Sequence, residues 1–210
     1  MKTHNRKFYV LTGIIIFTLL IASMCVYIIM PRGHTLKIEK NHGLFEIVED
    51  GDIICRLGNR LWSEIFSGLS VTDKRFSHIG IIRIHNDIVS VIHAEGSTGY
   101  GTDYVSEVSL DDFLQVARRI GIFRTINVNG NEISHIALEY VGIPFDWDFD
   151  LEDGSRLYCT ELLYVILKRI KPEIQLNTVY YKRWGIDIIP LEAVSNSEYF
   201  SEVYYIDEIK

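Results

Sequence analysis

The sequence lacks the cysteine patterns of disulfide-stapled and zinc-ribbon proteins. It has three cysteines, of which Cys25 lies in a long apolar run near the N-terminus. Only Cys55 and Cys159 remain for the rest of the chain, and there is no C-x-x-C pair. Disulfide frameworks need several paired cysteines and zinc ribbons need closely spaced pairs, so neither class fits.

The chain also lacks a clustered basic face. Its 28 acidic and 21 basic residues are scattered along the sequence, whereas nucleic-acid-binding proteins concentrate positive charge. There is no internal repeat or low-complexity tract. Gly96, Gly99 and Gly101 do not make a phosphate-binding loop, because no helix follows them immediately. We therefore expect one globular domain with no nucleic-acid partner and no cofactor.

Charge is absent from residues 8–30. As a helix this run would be about 34 Å long, enough to cross the roughly 30 Å hydrocarbon core of a bilayer. A cleaved signal peptide is the alternative, but the run exceeds the usual signal core of ~7–15 residues and no A-x-A site follows it. We predict a basic head over 1–7, a transmembrane anchor over 8–30, a linker over 31–44 and a domain over 45–210.

Basic residues flank the apolar run in equal number on both sides: Lys2, Arg6 and Lys7 before it, and Arg32, Lys37 and Lys40 after it. Those before the run are closer to it, so the positive-inside rule favours a cytoplasmic N-terminus. We therefore predict a single-pass membrane protein. Its catalytic domain would lie outside the cytoplasm, in the periplasm or at the cell surface.

Beyond the linker, several β-rich runs precede two longer helical segments. The apolar runs predict strands over 52–56 and 120–124, and a hairpin made of 78–84 and 89–94. Helical spacing and capping predict helices over 61–69, from Ser109, over 131–141 and from about Ser155 to Ile170. Because strands and helices are segregated rather than alternating, the pattern indicates an α+β fold around a central antiparallel sheet.

Cys159 lies in the first turn of the last predicted helix. Unpaired backbone N–H groups and the helix dipole at such a position stabilise a thiolate, which is the nucleophilic form of cysteine. The alternative is that Cys159 only fills space in the core, as most free cysteines do.

A nucleophilic cysteine needs a base, and the base needs an orienting partner. His78 begins one strand of the predicted hairpin and His93 ends the other, with Glu95 two residues later on the same face. Each histidine also has a purely structural interpretation. A third alternative is a zinc site made of His78, His93 and Cys159 with an open fourth position, although the usual ligand spacing is absent.

Four short motifs in order resemble the YiiX-like branch of the NlpC superfamily. They read FSHIG at 76–80, VIHA at 91–94, PFD at 144–146 and LYCTE at 157–161. The likeness extends from about Gly51 to Tyr205 and includes IPLE at 189–192. Members of this branch are circularly permuted papain-fold proteins, so the resemblance implies a Cys–His hydrolase whose histidine strand precedes the cysteine helix.

By this resemblance Cys159 is the nucleophile and His78 is the base. The third polar position falls on His93, where relatives often carry Glu. A neutral histidine can fix the tautomer of the base, but it stabilises an imidazolium less than a carboxylate does. Glu95 is therefore a second candidate for the orienting residue.

Supporting roles are expected near the start of the cysteine helix. Tyr158 and the backbone N–H of Cys159 are candidate oxyanion donors, and Asp146 is expected to shape the neighbouring loop or groove. We predict hydrolysis of an amide in a short peptide, such as a cell-wall stem peptide. The alternatives are a lipid-directed acyltransferase or acyl hydrolase with the same triad, and a non-catalytic anchored binding module.

Overall fold

The computed structural model of the protein describes residues 2–36, 43–97 and 101–207. Within these ranges the α-helices are α1 (Lys2–Ile29), α2 (Leu44–Ile47), α3 (Leu61–Ser67), α4 (Leu110–Leu114), α5 (Gly130–Glu139) and α6 (Cys159–Ile170). The strands are β1 (Ile53–Gly58), β2 (His78–His85), β3 (Ile88–Glu95), β4 (Tyr104–Ser109), β5 (Ala117–Thr125), β6 (Val179–Tyr181), β7 (Ile186–Ile188) and β8 (Phe200–Asp207). A 3-10 helix covers Leu191–Ser195.

Helix α1 contains the predicted apolar span. Its segment Tyr9–Ile29 has a mean hydropathy of 2.4 and is not buried against the rest of the protein. The helix is therefore long and apolar enough to cross a bilayer. A signal sequence near an N-terminus has the same properties, so retention of α1 as an anchor stays a prediction.

The domain is built on a six-stranded antiparallel sheet in the order β4-β3-β2-β1-β5-β8. This confirms the predicted α+β class with a central antiparallel sheet. Strand β1 lies inside the sheet and is buried along its whole length. Alternate residues of β1 enter two different cores: Cys55 packs with residues of α5 and α6, whereas Ile54 packs with residues of α2 and α4.

Strands β2 and β3 form the predicted hairpin. Their ladder runs from Ile81 paired with Ile92 to His85 paired with Ile88. The two turn residues, Asn86 and Asp87, have φ values of 51° and 61°, the left-handed conformation that a tight two-residue hairpin needs and that Asn and Asp tolerate. At the other end, His78 and His93 lie beyond the last pair of the ladder.

Helix α6 begins at Cys159, which corrects the predicted start near Ser155. The preceding residues are extended because they pair with the loop before them: the N–H of Leu157 donates to the carbonyl of Pro144 at 3.0 Å, and Phe145 and Leu157 form a parallel bridge. Tyr158 is the N-cap, and its N–H donates to the Glu161 carboxylate at 3.3 Å. Cys159 is therefore the first helical residue, where the backbone N–H has no intrahelical acceptor.

The remaining predictions agree with the fold apart from shifts of a few residues. Ser109 caps α4 by accepting a hydrogen bond from the N–H of Asp112 at 3.1 Å. Strands β4 and β8, the two edges of the sheet, were not predicted from the sequence. Edge strands are partly solvated, and their mixed polar and apolar residues give a weaker signal than the buried runs of β1 and β2.

Part of the predicted linker packs against the domain. The N–H of Leu36 donates to the carbonyl of Ala117 at 2.7 Å, and Leu44 is fully buried at the start of α2. Residues 37–42 of the linker lie outside the described ranges. The domain boundaries remain a prediction.

Candidate active site

Two of the predicted site residues are joined by a direct hydrogen bond. Nε2 of His78 lies 2.9 Å from Nδ1 of His93, and both side chains are buried. Glu95 follows on the same face of β3, with its Oε2 at 3.7 Å from the same Nδ1. The structure thus brings all three residues together at the open end of the hairpin, and it gives His93 rather than Glu95 the direct contact with His78.

Arg56 completes this polar cluster, and the sequence motifs did not point to it. Arg56 pairs with His78 across β1 and β2, is almost fully buried, and forms an ion pair with Glu95. Its other guanidinium nitrogen donates to the carbonyl of Phe113 at 2.6 Å. The available signal was a charged residue at the end of a buried apolar strand, which requires a buried partner.

Phe113 from α4 covers the cluster on one side. The His78 ring stacks on it at 5.7 Å, and the His93 ring meets it edge-on at 5.4 Å. The guanidinium of Arg56 lies 4.3 Å from the centre of the same ring. This aromatic cover keeps water away from the histidines, so their charged forms lose hydration energy.

Cys159 meets strand β2 beside His78. The backbone N–H groups of Ile79 and Thr160 donate towards its sulfur. The Ile79 N–H is available for this contact because it lies beyond the end of the β2–β3 ladder. Cys159 and His78 also line one cavity of about 90 Å³, the Cys159 cavity. Since Nε2 of His78 is bonded to His93, Nδ1 is the ring nitrogen left for Cys159.

The Cys159 cavity has mainly apolar and aromatic walls. They come from α3 and the residues just after it, from the loop before α6, and from the end of β7 and the segment after it. The apolar lining residues are Trp62, Phe66, Leu69, Phe145, Trp147, Phe149, Ile188, Ile189 and Leu191. Such walls stabilise apolar groups of a ligand by removing them from water.

The charge state of the pair differs from the expected stabilised thiolate. Packing around the sulfur raises the pKa of Cys159 to about 11, which outweighs the N–H donors. Burial also lowers the pKa of His78 well below its ordinary value. At neutral pH the pair is therefore a thiol and a neutral imidazole, and not a preformed thiolate–imidazolium pair.

Next to this pair, Arg56 and Glu95 form an ion pair and the ring of His93 is neutral. Burial alone would raise the pKa of Glu95, but Arg56 lowers it to about 2. Burial lowers the pKa of His93 to about 4 despite the Glu95 charge. The cluster therefore carries one positive and one negative charge at neutral pH, on Arg56 and Glu95.

Tyr158 and Asp146 make structural contacts. The Tyr158 hydroxyl accepts a hydrogen bond from the N–H of Ile189 at 2.9 Å, which ties the start of α6 to the far wall of the cavity. Asp146 is fully buried and accepts from the N–H groups of Asp148 and Asp150 at 3.0 and 2.6 Å. Asp146 thus holds the loop that supplies aromatic walls to the cavity.

Residues 47–183, more than half of the chain, match the family described as permuted papain-like amidase enzymes, YaeF/YiiX, C92. The chain belongs to this family. It is accordingly an enzyme of the amidase type, in the class of cysteine hydrolases, and the resemblance found in its motifs is confirmed.

A solved structure of similar fold comes from the same group of proteins. The crystal structure of metalloprotein yiiX from Escherichia coli O157:H7 superposes with a TM-score of 0.62 at 17% identity, covering 76% of this chain and 98% of that one. At this identity the likeness shows the fold alone. No curated protein matches the chain.

A metal fits the polar cluster of this amidase poorly. His78, His93 and Glu95 offer three donor atoms within 4.8 Å of one another, so Glu95 takes the place that the zinc alternative gave to Cys159. However, Glu95 is already paired with the buried Arg56, and the two histidine nitrogens are bonded to each other. A divalent cation would lie against a buried guanidinium, and the repulsion between the two positive charges disfavours a metal at this site.

Proposed function

We propose that the protein is a membrane-anchored amidase in which Cys159 is the nucleophile and His78 the base. The observation that carries the proposal is the hydrogen bond between Nε2 of His78 and Nδ1 of His93, since it leaves Nδ1 of His78 for the thiol that lines the same cavity. The family supports the reaction class. The fold supports the order of the two residues, with the histidine strand before the cysteine helix.

Acylation starts from the neutral pair. As the sulfur of Cys159 attacks the amide carbonyl carbon, Nδ1 of His78 takes the thiol proton. The carbonyl oxygen becomes an oxyanion, which the backbone N–H of Cys159 at the start of α6 can stabilise. His78 then gives the proton to the leaving nitrogen, the C–N bond breaks, and a thioester remains on Cys159.

Deacylation uses the same groups in reverse. His78 takes a proton from a water molecule as the water oxygen attacks the thioester carbon. The proton passes to the leaving sulfur of Cys159, and the C–S bond breaks to release a carboxylic acid. Each turnover therefore consumes one water and returns the thiol and the imidazole to their neutral forms.

His93 acts as a positioning residue in this scheme. For Nδ1 of His78 to accept the thiol proton, its Nε2 must carry hydrogen and donate to Nδ1 of His93. That tautomer puts the His93 proton on Nε2, which is buried without a hydrogen-bond partner among the described residues. Glu95 supplies negative charge close to both rings and stabilises the imidazolium that forms on His78.

The substrate we favour is an amide in a short peptide, such as a cell-wall stem peptide. This choice rests on the predicted topology, in which α1 is not cleaved and the domain lies outside the cytoplasm. The amidase family supports a peptide-type amide as the substrate. The leaving group would then be the amino group of the next residue of the peptide.

A lipid-directed acyl hydrolase or acyltransferase is the second candidate. The observation that favours it is the aromatic and aliphatic lining of the Cys159 cavity, which suits an acyl chain better than polar stem-peptide residues. Both candidates use the same nucleophile and base. They differ in which part of the substrate lies against the apolar walls of the Cys159 cavity.

Trapping the acyl-enzyme tests the proposal. Full-length protein in detergent micelles is mixed with stem-peptide amides or with N-acyl amide lipids, and intact-protein and peptide mass spectra are recorded. We expect a thioester adduct on Cys159 that is absent from Cys159→Ala. Release of peptide fragments supports the first candidate and release of fatty acid the second. A folded protein that binds these compounds without adduct or turnover would be a binding module and would overturn the proposal.

A further inference from the structure

The C-terminal end of α1 touches the rim of the Cys159 cavity. The backbone N–H of Arg32 donates to the carbonyl of Asn59 at 2.6 Å, and the guanidinium of Arg60 donates to the carbonyl of Ile29. Asn59 and Arg60 both line the cavity. The apolar helix therefore ends where the cavity wall begins, instead of being joined to the domain only through the linker.

Helix α3 starts immediately after this contact and has an exposed apolar edge. Trp62 and Ile65 lie one helical turn apart, and each is 40% exposed. Trp62 and Phe66 also line the Cys159 cavity. One short helix thus provides a wall of the cavity and an apolar strip facing outward next to the end of α1.

The groups around this contact are those found at a membrane–water boundary. The guanidinium of Arg32 lies 4.1 Å from the ring centre of Tyr27, near the end of the apolar span. Aromatic rings and arginines are enriched at the head-group level of spanning helices. Trp62 is three positions after Asn59 in the chain, so the two residues are at most about 11 Å apart. This distance is close to the roughly 5–8 Å depth of a head-group layer.

We infer that the mouth of the Cys159 cavity faces the bilayer, with Trp62 and Ile65 seated among the lipid head groups beside the end of α1. The partner of this surface is a lipid bilayer. The inference rests on the part of the proposed function that keeps α1 as an anchor. The inference adds a fixed orientation of the domain relative to the membrane. An anchor joined to the domain only by a flexible linker would not impose one, whereas the backbone hydrogen bond from Arg32 to Asn59 holds the rim of the cavity against the end of α1.

This orientation has a consequence for the substrate. An amide carried by a membrane-bound molecule, whether a lipid or a lipid-linked peptide, reaches Cys159 along the membrane surface. A freely soluble amide has to enter the narrow space between the domain and the head groups. The enzyme should therefore prefer substrates presented on a bilayer.

Lipid contact can be measured without any enzymatic activity. The full chain is placed in nanodiscs that contain ordinary lipid or lipid brominated on its acyl chains, and tryptophan is introduced by Ile65→Trp or by the matched control Ile88→Trp. Ile88 is 68% exposed and lies at the turn end of the hairpin, about 23 Å along β2 from His78. The fluorescence gained over the unsubstituted protein is then compared in the two lipids.

We expect the fluorescence gained at position 65 to be quenched by brominated lipid and that gained at position 88 to be unaffected. Equal quenching at both positions, or none at either, overturns the inference. A signal at position 65 that changes with protein concentration and not with bromination would assign the surface to a second copy of the chain, which also overturns it. Circular dichroism checks that both variants are folded.

A second readout uses the amide substrate on which the protein turns over. Ile65→Ser should lower kcat/KM for that amide tethered to lipid by about tenfold, from lost apolar contact, and leave the soluble form within about twofold. Ile88→Ser should change neither. An equal loss on both forms for Ile65→Ser would contradict the membrane role. Absence of all turnover would count against the proposed function only, since the quenching result stands independently.

Discussion

The two cysteines of the domain are neighbours of the same residue, yet only Cys159 lines a cavity together with a histidine. Cys55 pairs with Ile79 across β1 and β2 and is fully buried. Cys159 receives the Ile79 N–H on its sulfur, begins α6 and lines a cavity with His78. Burial raises the thiol pKa at both positions. The difference between them is therefore access and a proton acceptor, and not thiol acidity.

This comparison favours general-base catalysis over a preformed ion pair. A raised Cys159 pKa and a lowered His78 pKa keep both groups neutral until a substrate is attacked. In that case the reaction rate depends more on the base, its tautomer and the cavity than on the helix dipole at the start of α6. Each of the following experiments tests one part of that difference.

Replacing each cysteine by alanine should give the largest difference between the two regions, which are the cavity around Cys159 and the buried core around Cys55. Cys159→Ala should lower kcat by about 10³-fold or more, because the covalent step is lost. Cys55→Ala should leave kcat within about twofold and lower the free energy of unfolding by about 1–2 kcal/mol, because it removes a buried sulfur. Amide hydrolysis and urea unfolding measure the two effects. A similar loss of activity in both variants would contradict the assignment of the nucleophile.

Removing the proton acceptor should have the next largest effect. His78→Ala should lower kcat by about 10²–10⁴-fold, the usual contribution of a positioned base. The control is His85→Ala at the exposed end of the same strand, which should leave kcat unchanged. If His78→Ala kept normal turnover, another group would have to accept the Cys159 proton.

Loss of the partner of the base should cost less. His93→Ala should lower kcat by about 10–100-fold with little change in KM, as expected for a residue that orients another. His93→Gln should recover part of the loss, because its amide oxygen can accept from Nε2 of His78. A loss that appears only in KM, or no recovery with glutamine, would argue that His93 supports the fold alone.

Alkylation rates should report the raised pKa of Cys159. With a pKa of about 11, the thiolate fraction rises about tenfold per pH unit up to that value. We expect iodoacetamide labelling of Cys159 to increase through pH 7 to 10 without a plateau, while Cys55 is labelled only after unfolding. A plateau near pH 7 would indicate a preformed ion pair and contradict the neutral resting state.

Acid should lower the free energy of unfolding mainly by its effect on the polar cluster that contains His93, and less by any effect on the apolar core around Cys55. His93 has a folded pKa of about 4 against an ordinary value of 6.5. As pH falls from 6.5 to 4, the unfolded chain binds a proton that the folded chain does not, so stability falls. His93 alone accounts for about 3 kcal/mol over this window. Urea unfolding of the wild type and His93→Gln should show a shallower decline in the variant, and equal slopes would contradict this.

Much of the candidate site was predictable from local sequence. The β-branched runs before and after Asn86 and Asp87 predicted the hairpin, and four ordered motifs indicated Cys159 and His78. The start of α6 was misplaced because residues before Cys159 look compatible with a helix, and only their pairing with the Pro144 loop makes them extended. Arg56 was missed because its partner Glu95 lies two strands away in the sheet.

The sequence by itself determined the apolar span, the α+β class and the order of the histidine strand and cysteine helix, because these depend on composition, periodicity and motifs along the chain. Tertiary structure alone decided that His93 rather than Glu95 contacts His78 and that the resting pair is neutral. It also brought the end of α1 to the rim of the cavity. These properties depend on burial and on distances between residues far apart in the chain, which no local pattern records.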